Sequence, residues 1–204
     1  MAIYPESGSY TVFGEESVYG TPPASVNSHF GLIQEVTPKI SNNYKEYRGV
    51  GAGVGPARVD VAGLLNTGIP LTFNVFNGTF LKYALGSVSG SGTVGVPFSY
   101  TEANSLPSLT IEDAFNLDTD QVLRFLGSIV SKCTITGRLG EPLSVNLDIL
   151  SRDVTKNNTY QSITVPTTGL YLFTHGTYEV PTSTAITEVQ EFNITIDNKG
   201  RLTG

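Results

Sequence analysis

The sequence predicts a mainly β domain, an antiparallel sandwich or barrel-like sheet with one short flanking helix. Three observations predict it. Residues 129–149 alternate apolar and polar side chains on both sides of a Gly/Pro break, the pattern of a half-buried antiparallel hairpin. Roughly eight to ten strand-length segments lie between Gly- and Pro-rich turns. Only one stretch, 78–85, carries a helical stripe.

The 204 residues are long enough for one domain, 1–204, with a real core. Residues 1–28 are polar and turn-rich, with Gly8, Gly14, Gly20, Pro22 and Pro23. They read as an N-terminal arm or surface strand rather than core. Segment 29–40 has a mixed strand pattern that ends near Pro38. Segment 41–56 changes character: Tyr44, Lys45, Glu46, Tyr47 and Arg48 precede Gly49, Gly51, Gly53 and Gly55 in alternation with small residues. This is a long Gly-rich loop or the tip of a long hairpin, and loops of that length in a compact domain are usually functional.

Strand pattern returns over 57–75. Val59 and Val61 alternate with Arg58 and Asp60; Ile69, Leu71, Phe73 and Val75 follow, and Pro70 marks an edge or a strand start. Asn77 can cap a helix over 78–85, with Phe80, Leu81, Ala84 and Leu85 on one stripe, Lys82 opposite and Gly86 as the stop. Residues 86–95 read as a flexible connector. Strands are expected near 97–101 and 107–113, and Asp118 and Asp120 can cap a helical turn through Phe125 that Gly127 ends.

In the hairpin, Ile129, Cys133 and Ile135 alternate with Val130, Lys132, Thr134 and Thr136. Beyond Gly137–Pro142, Leu143, Val145, Leu147 and Ile149 face one way, and Ser144, Asn146 and Asp148 the other. Later strands fit 160–165, 169–174 and 189–197, where Phe192, Ile194 and Ile196 alternate with Asn193, Thr195 and Asp197. Asp197–Gly200 is a turn.

Composition narrows the function. Charged residues make up 15% of the chain, against roughly a quarter in ordinary soluble domains, so the surface suits being covered. The net charge of −6 argues against gripping phosphate, yet allows nucleic acid to slide past. The single cysteine, Cys133, is a small core residue and permits no disulfide framework. The N-terminus lacks the basic and apolar regions of a signal peptide, and no apolar run reaches membrane-helix length. The N-x-T sequons at Asn77, Asn157 and Asn193 are read as chance.

Catalytic chemistry finds few groups. His29 sits beside Phe30, and His175 precedes Gly176 in a turn. Zinc needs three or four ligands, which two histidines and a buried cysteine do not supply. Glu15–Glu16 and Glu112–Asp113 are adjacent on strands and point to opposite faces, so neither works as an acid pair. Asp118–Asp120 lacks the later ligands of a calcium loop. The glycines at 49–55 are followed by no Lys-Ser/Thr and are framed by no strand–turn–helix, so they make no phosphate loop. No catalytic, cofactor-binding or metal residue is assigned, and no cofactor is expected. Tyr10, Tyr19, Tyr44 and Tyr47 suit stacking on sugars or bases, or anchoring a protein interface.

Several motifs together carry a resemblance. Gly14-Glu15-Glu16-Ser17-Val18-Tyr19-Gly20-Thr21-Pro22 is similar to an N-terminal motif of tailed-virus (bacteriophage-type) tail tube proteins. In the same order as in that family follow Tyr83–Gly86, Leu106–Glu112, Arg124–Gly127 leading into Val130–Ile135, Gly140–Val145, and Phe192–Asn198. Residues 86–95 and 150–168 match no such motif. The resemblance implies a structural virion protein, a tail tube subunit. It would form stacked hexameric rings, a hollow conduit for genome delivery, with inner strands of successive subunits joined in one lumen-lining sheet. The loop at 41–56 would bridge to a neighbouring subunit or ring. Implied partners are further copies, tape measure protein and viral DNA in the lumen, tail terminator, tail tip or baseplate proteins, and a sheath where the tail is contractile. No membrane is implied. The implied setting is the virion tail, assembled in the host cytoplasm. The alternatives from the residues alone are a β-sandwich carbohydrate-binding or adhesin module built on the tyrosines, and a small jelly-roll hydrolase.

Overall fold

The computed structural model describes residues 9–42, 44–49, 57–61, 65–115, 121–157, 159, 163–164, 169–177, 179–180, 184–185 and 188–199. In chain order the strands are β1 (Tyr10–Glu15), β2 (Gly31–Val36), β3 (Lys39–Asn42), β4 (Lys45–Gly49), β5 (Ala57–Val61), β6 (Leu65–Gly68) and β7 (Leu71–Val75). Helix α1 (Phe80–Leu85) precedes β8 (Gly86–Ser89), β9 (Ser99–Glu102), β10 (Leu109–Phe115), β11 (Gln121–Arg138), β12 (Ser144–Ser151) and β13 (Asp153–Asn157). A short 3₁₀ turn (Phe173–His175), β14 (Glu179–Val180), β15 (Thr184–Ala185) and β16 (Glu191–Asp197) complete the described elements.

The 18-residue β11 is the spine. Its first half lies between β10 and β13, and β1 pairs outside β10. Its second half lies between β12 and β16, and β7 and then β2 continue outward from β12. One strand thus serves both sheets of a sandwich, the arrangement in which a bent strand makes the corner. The sheet does not close into a barrel, and all described pairings are antiparallel.

Two features bend β11. Gly127 has φ +58, a conformation that only glycine adopts freely. Between Val130 and Lys132 the register with β12 shifts, leaving Ser131 as the extra residue of a bulge. The bulge corrects the expected alternation: Val130 is fully buried on the same side as Cys133, and Ile129 is only half-buried. Lys132, Thr134 and Thr136 keep the outward side that their alternation predicts.

A Cβ on Gly127 would lie 2.9 Å from Cβ of Arg152 and 3.1 Å from the Tyr19 ring. Gly127→Ala is therefore expected to cost about 1–3 kcal/mol, from left-handed backbone strain and this collision. Urea unfolding of the dilute protein reads it directly, and an unchanged midpoint would contradict the corner geometry.

The core lies between the sheets, under α1. Phe13 stacks on Phe30 at 4.0 Å, and Tyr83 meets Phe13 edge-on at 5.2 Å. Phe73 meets Phe80 at 5.6 Å. Such aromatic pairs add about 0.5–1.5 kcal/mol each beyond burial. The helix is rotated from its expected stripe. Phe80, Tyr83 and Ala84 are buried while Leu81 and Leu85 are half-buried, because the Tyr83 ring fills the gap beside Phe13 and Phe30. Asn77 accepts the Thr79 N–H at 3.0 Å ahead of the first turn, and Gly86 (φ +106) ends the helix.

Other expectations are corrected by long-range pairing. Much of the segment read as an N-terminal arm is core: Val12, Phe13 and Val26 are buried, since both faces of β1 are covered. Within 86–95, β8 pairs with β9 as a hairpin. Residues 121–125 are strand, not helical turn; residues 116–120 lie outside the described residues. Of the strands expected at 160–165 and 169–174, the described residues form one isolated bridge (Pro142 with Leu172) and the 3₁₀ turn. Residues 160–168 lie outside the described residues, apart from Ile163 and Thr164, and Ile163 packs against the cluster of Tyr10, Val12 and Val26.

Candidate assembly surface

The sheet β16-β11-β12-β7-β2 presents one polar face, and its register aligns the side chains in rows. Asn193, Thr136, Ser144 and Asn74 form one row across four strands. Thr195, Thr134, Asn146 and Thr72 form the next. Asn146 Nδ2 donates to Thr72 Oγ1 at 2.9 Å, and Asn193 Nδ2 donates to Thr136 Oγ1 at 3.3 Å. A third row holds the charges Asp197, Lys132 and Asp148. The face is a hydroxyl and amide lattice with few charges.

Both ends of this sheet lack a further strand among the described residues. Among the described residues β2 pairs only with β7, and β16 only with β11. Each offers an unpaired row of backbone groups, the template for strand addition. Ile194 on β16 is in register with Ile135 and, across β11, Val145, yet is 52% exposed on this outer strand. On the opposite flank, a cleft of about 450 Å³ opens between β1 and β2, lined by Tyr10, Thr11, His29, Ile33, Val36 and Asp113 among others.

Asp113 is buried there. Its Oδ1 accepts the Thr11 hydroxyl at 2.9 Å, and its Oδ2 has no partner among the described residues. Burial raises its carboxyl above the ordinary 3.8, with the Thr11 bond opposing. The folded protein therefore holds this proton to higher pH than the unfolded chain does. The cost of the buried charge is absent below the unfolded value and grows as pH rises through the folded one. Asp113→Asn keeps the acceptor for Thr11, so it should raise the unfolding midpoint at pH 7 and leave it unchanged at pH 3. Equal gains at both pH values would rule out the charge as cause.

Between β3 and β6 the described residues form two antiparallel pairs. β3 pairs with β6, from Lys39 opposite Gly68 to Asn42 opposite Leu65. β4 pairs with β5, from Lys45 opposite Val61 to Gly49 opposite Ala57. Among the described residues β4 and β5 pair only with each other. The Gly-rich region read as a loop or a hairpin tip is thus partly hairpin; residues 50–56 lie outside the described residues.

The groups weighed for catalysis stay apart. Glu112 is fully buried against Arg124 (Nε to Oε1, 2.8 Å), on the opposite side of β10 from Asp113. Glu15 pairs with Lys82 at 2.5 Å and accepts the Tyr83 hydroxyl at 3.2 Å. Burial pushes the Cys133 thiol up to about 12, so it stays an inert core thiol. No three His, Cys, Asp or Glu among the described residues gather as metal ligands. Tyr10 is buried, and Tyr19 lies under Arg152, whose guanidinium carbon is 5.6 Å from the ring. Tyr44 is exposed; the Tyr47 side chain lies outside the described residues.

Sequence reasoning missed Glu16. Its carboxylate is buried and accepts Gly20 N–H at 2.7 Å, Thr110 Oγ1 at 2.8 Å and Gly127 N–H at 2.9 Å. It ties the 14–22 motif to β10 and to the corner of β11. The Glu-x-x-x-Gly spacing inside that motif was its only local signal.

A broad polar sheet face flanked by edges unpaired among the described residues is the geometry of a contact surface. The chain belongs to the phage tail tube protein family, whose model matches residues 7–204. It is a structural tail tube subunit, a component of the virion tail. No curated protein sequence matches it. Among solved structures it is similar to a chain of the sheath–tube complex of an extracellular contractile injection system in the extended state. That chain is 15% identical, with 77% of this chain and 93% of that one covered and a TM-score of 0.50. A chain of the anti-feeding prophage cap is 13% identical, covering 78% and 95%, with a TM-score of 0.48. At 15% identity the first of these likenesses speaks to the fold alone.

Proposed function

We propose that the subunit closes into rings by adding the β16 edge of one copy to the β2 edge of the next. The single observation carrying this is one sheet with two edges unpaired among the described residues and a polar, sparsely charged face between them. The contact is head-to-tail, so it repeats around a ring and leaves no edge unpaired. Six copies per ring, stacked into a tube, follow the family pattern. The polar face then lines the lumen. Hydroxyls and amides with few cations offer DNA little counterion-release binding, so a genome passes without sticking.

The protein works by contact, not catalysis. Tape measure protein and DNA would occupy the lumen. Tail terminator and tail tip or baseplate proteins would meet the tube ends, and a sheath would surround a contractile tail. Assembly would take place in the host cytoplasm, and the β3–β6 hairpin would reach a neighbouring copy. Of the tyrosines behind the carbohydrate-binding alternative, Tyr10 is buried and Tyr19 lies under Arg152, while Tyr44 is exposed.

Negative-stain electron microscopy of the concentrated protein should show six-fold rings or tubes. A strictly monomeric particle at high concentration, even with other tail components added, would defeat the reading.

A further inference from the structure

Strands β1 and β2 are edge strands of the two sheets of the sandwich. Among the described residues β1 pairs with β10 and β2 with β7, and one bridge, Phe13 with Ser28, ties their ends. The cleft between them is therefore the open flank of the molecule, on the side of the β2 edge. Asp113 lines it. The residue is 3% exposed, and its Oδ2 is shielded and without a hydrogen-bond partner. Such a carboxyl is costly as an anion and far less so as a neutral acid.

The groups around Asp113 do little to hold the anion. On β1, Thr11 donates to Oδ1 at 2.9 Å. On β11 the residue in register is Leu123. The cation of that row, Lys156 of β13, is one strand further, about 10 Å away at the backbone. Arg124 lies on the opposite side, held by Glu112. Glu35 from β2, His29 from the segment before it and Tyr10 from β1 line the same cleft. Burial keeps the His29 imidazole below its ordinary 6.5, against a hydrogen bond to the Thr164 backbone, so it is neutral at pH 7.

The strand that closes over this flank in a ring brings no cation. β16, from Glu191 to Asp197, holds two acids and no base. Its Phe192, Ile194 and Ile196 are in register with Gly137, Ile135 and Cys133, on the side away from the polar rows. Seating these side chains beside Ile33 and Val36 expels the water of the cleft, which screens an ionised Asp113 in the free subunit.

We propose that closing the ring takes up one proton per subunit, at Asp113. The proton comes from solvent, and the neutral carboxyl is the form that the neighbour's apolar strand covers. Lateral contacts are then strong in mild acid and weaken as pH rises. The assembled carboxyl holds its proton to higher pH than that of the free subunit, where burial already lifts it above 3.8. The contact has its full strength below the free-subunit value. It loses about tenfold per pH unit above that value and levels off beyond the assembled one. This inference rests on the ring reading and adds what regulates it.

The test uses the full chain at constant ionic strength. Sedimentation velocity reads the protein concentration at which half the subunits are in rings, from about pH 5 to about pH 8. For wild type this concentration should rise at least about tenfold across the range. Asp113→Asn keeps the acceptor for Thr11 and cannot ionise, so it should hold the low-pH concentration throughout. Glu35→Gln and His29→Gln should keep the wild-type slope. A wild type indifferent to pH overturns the proposal, as does a slope that survives in Asp113→Asn or is lost in either of the other two variants. If circular dichroism shows Asp113→Asn misfolded, proton uptake by wild type decides. Dilution calorimetry in buffers of different ionisation heat, at the pH of steepest change, should show uptake on assembly, and none would overturn the proposal. Absence of rings at every pH would sink the ring reading, and this inference with it. Rings indifferent to pH leave that reading intact and remove this inference alone.

Discussion

Glu16→Ala is expected to lower the thermal midpoint of the dilute subunit by about 6–20 °C. The carboxylate accepts three hydrogen bonds, from Gly20, Thr110 and Gly127, and the bonds from Thr110 and Gly127 are buried. Hydrogen bonds to charged groups contribute about 1.5–3 kcal/mol each, and removing the acceptor strands its donors. The three act on one group and are not additive, so the expected loss is about 3–5 kcal/mol. Against a domain stability of about 5–15 kcal/mol this is a large share. Each kcal/mol moves the midpoint by about 2–4 °C in a chain of this size. Glu16→Gln separates charge from shape: it keeps one acceptor oxygen and turns an amide N–H₂ toward a donor, so it should lose roughly half as much. Calorimetry of the three proteins checks this. A loss below about 1 kcal/mol for Glu16→Ala would show that the 14–22 motif is held to β10 and β11 by packing instead.

Local patterns in the sequence reached some elements and not others, for identifiable reasons. The hairpin of β11 and β12 was legible because Val145, Leu147 and Ile149 alternate with Ser144, Asn146 and Asp148 on a sheet with one wet face. The existence of helix α1 was legible from its apolar spacing and Gly86, but not its buried face, which Tyr83 shares with Phe80 and Ala84. The face of Val130 was not, because the bulge at Ser131 is set by pairing with β12 rather than by residue type. The burial of β1 was hidden by its covered faces: Val12 and Phe13 are adjacent and both buried, which destroys the period-2 signal. The helical turn expected after Asp118 failed because capping residues are a weak prior against eighteen residues of ladder. For the assembly surface, the polar character of the face was readable and its edges were not. Whether β2 or β16 has a partner on its outer side depends on every other strand, and no local pattern encodes that.

Ile194→Asp is the corresponding test of assembly, expected to abolish rings while the isolated subunit keeps its fold. Ile194 is already half in solvent, so its replacement removes only part of its burial and should cost the monomer about 1 kcal/mol. In a ring built through β16 and β2, the same side chain enters the neighbour's flank beside Ile33, Val36 and the cleft that holds Asp113. An aspartate there would lose its hydration and face a second carboxylate, at a cost of several kcal/mol in each contact. Every contact of the ring carries the substitution, so ring closure fails collectively. Ile194→Val keeps shape and apolar character and should assemble at slightly higher protein concentration. Light scattering coupled to gel filtration, with thermal melts of the same fractions, reads both quantities. An aspartate variant that forms wild-type rings would place the lateral contact elsewhere on the subunit, and the pairing of β16 with β2 would have to be abandoned.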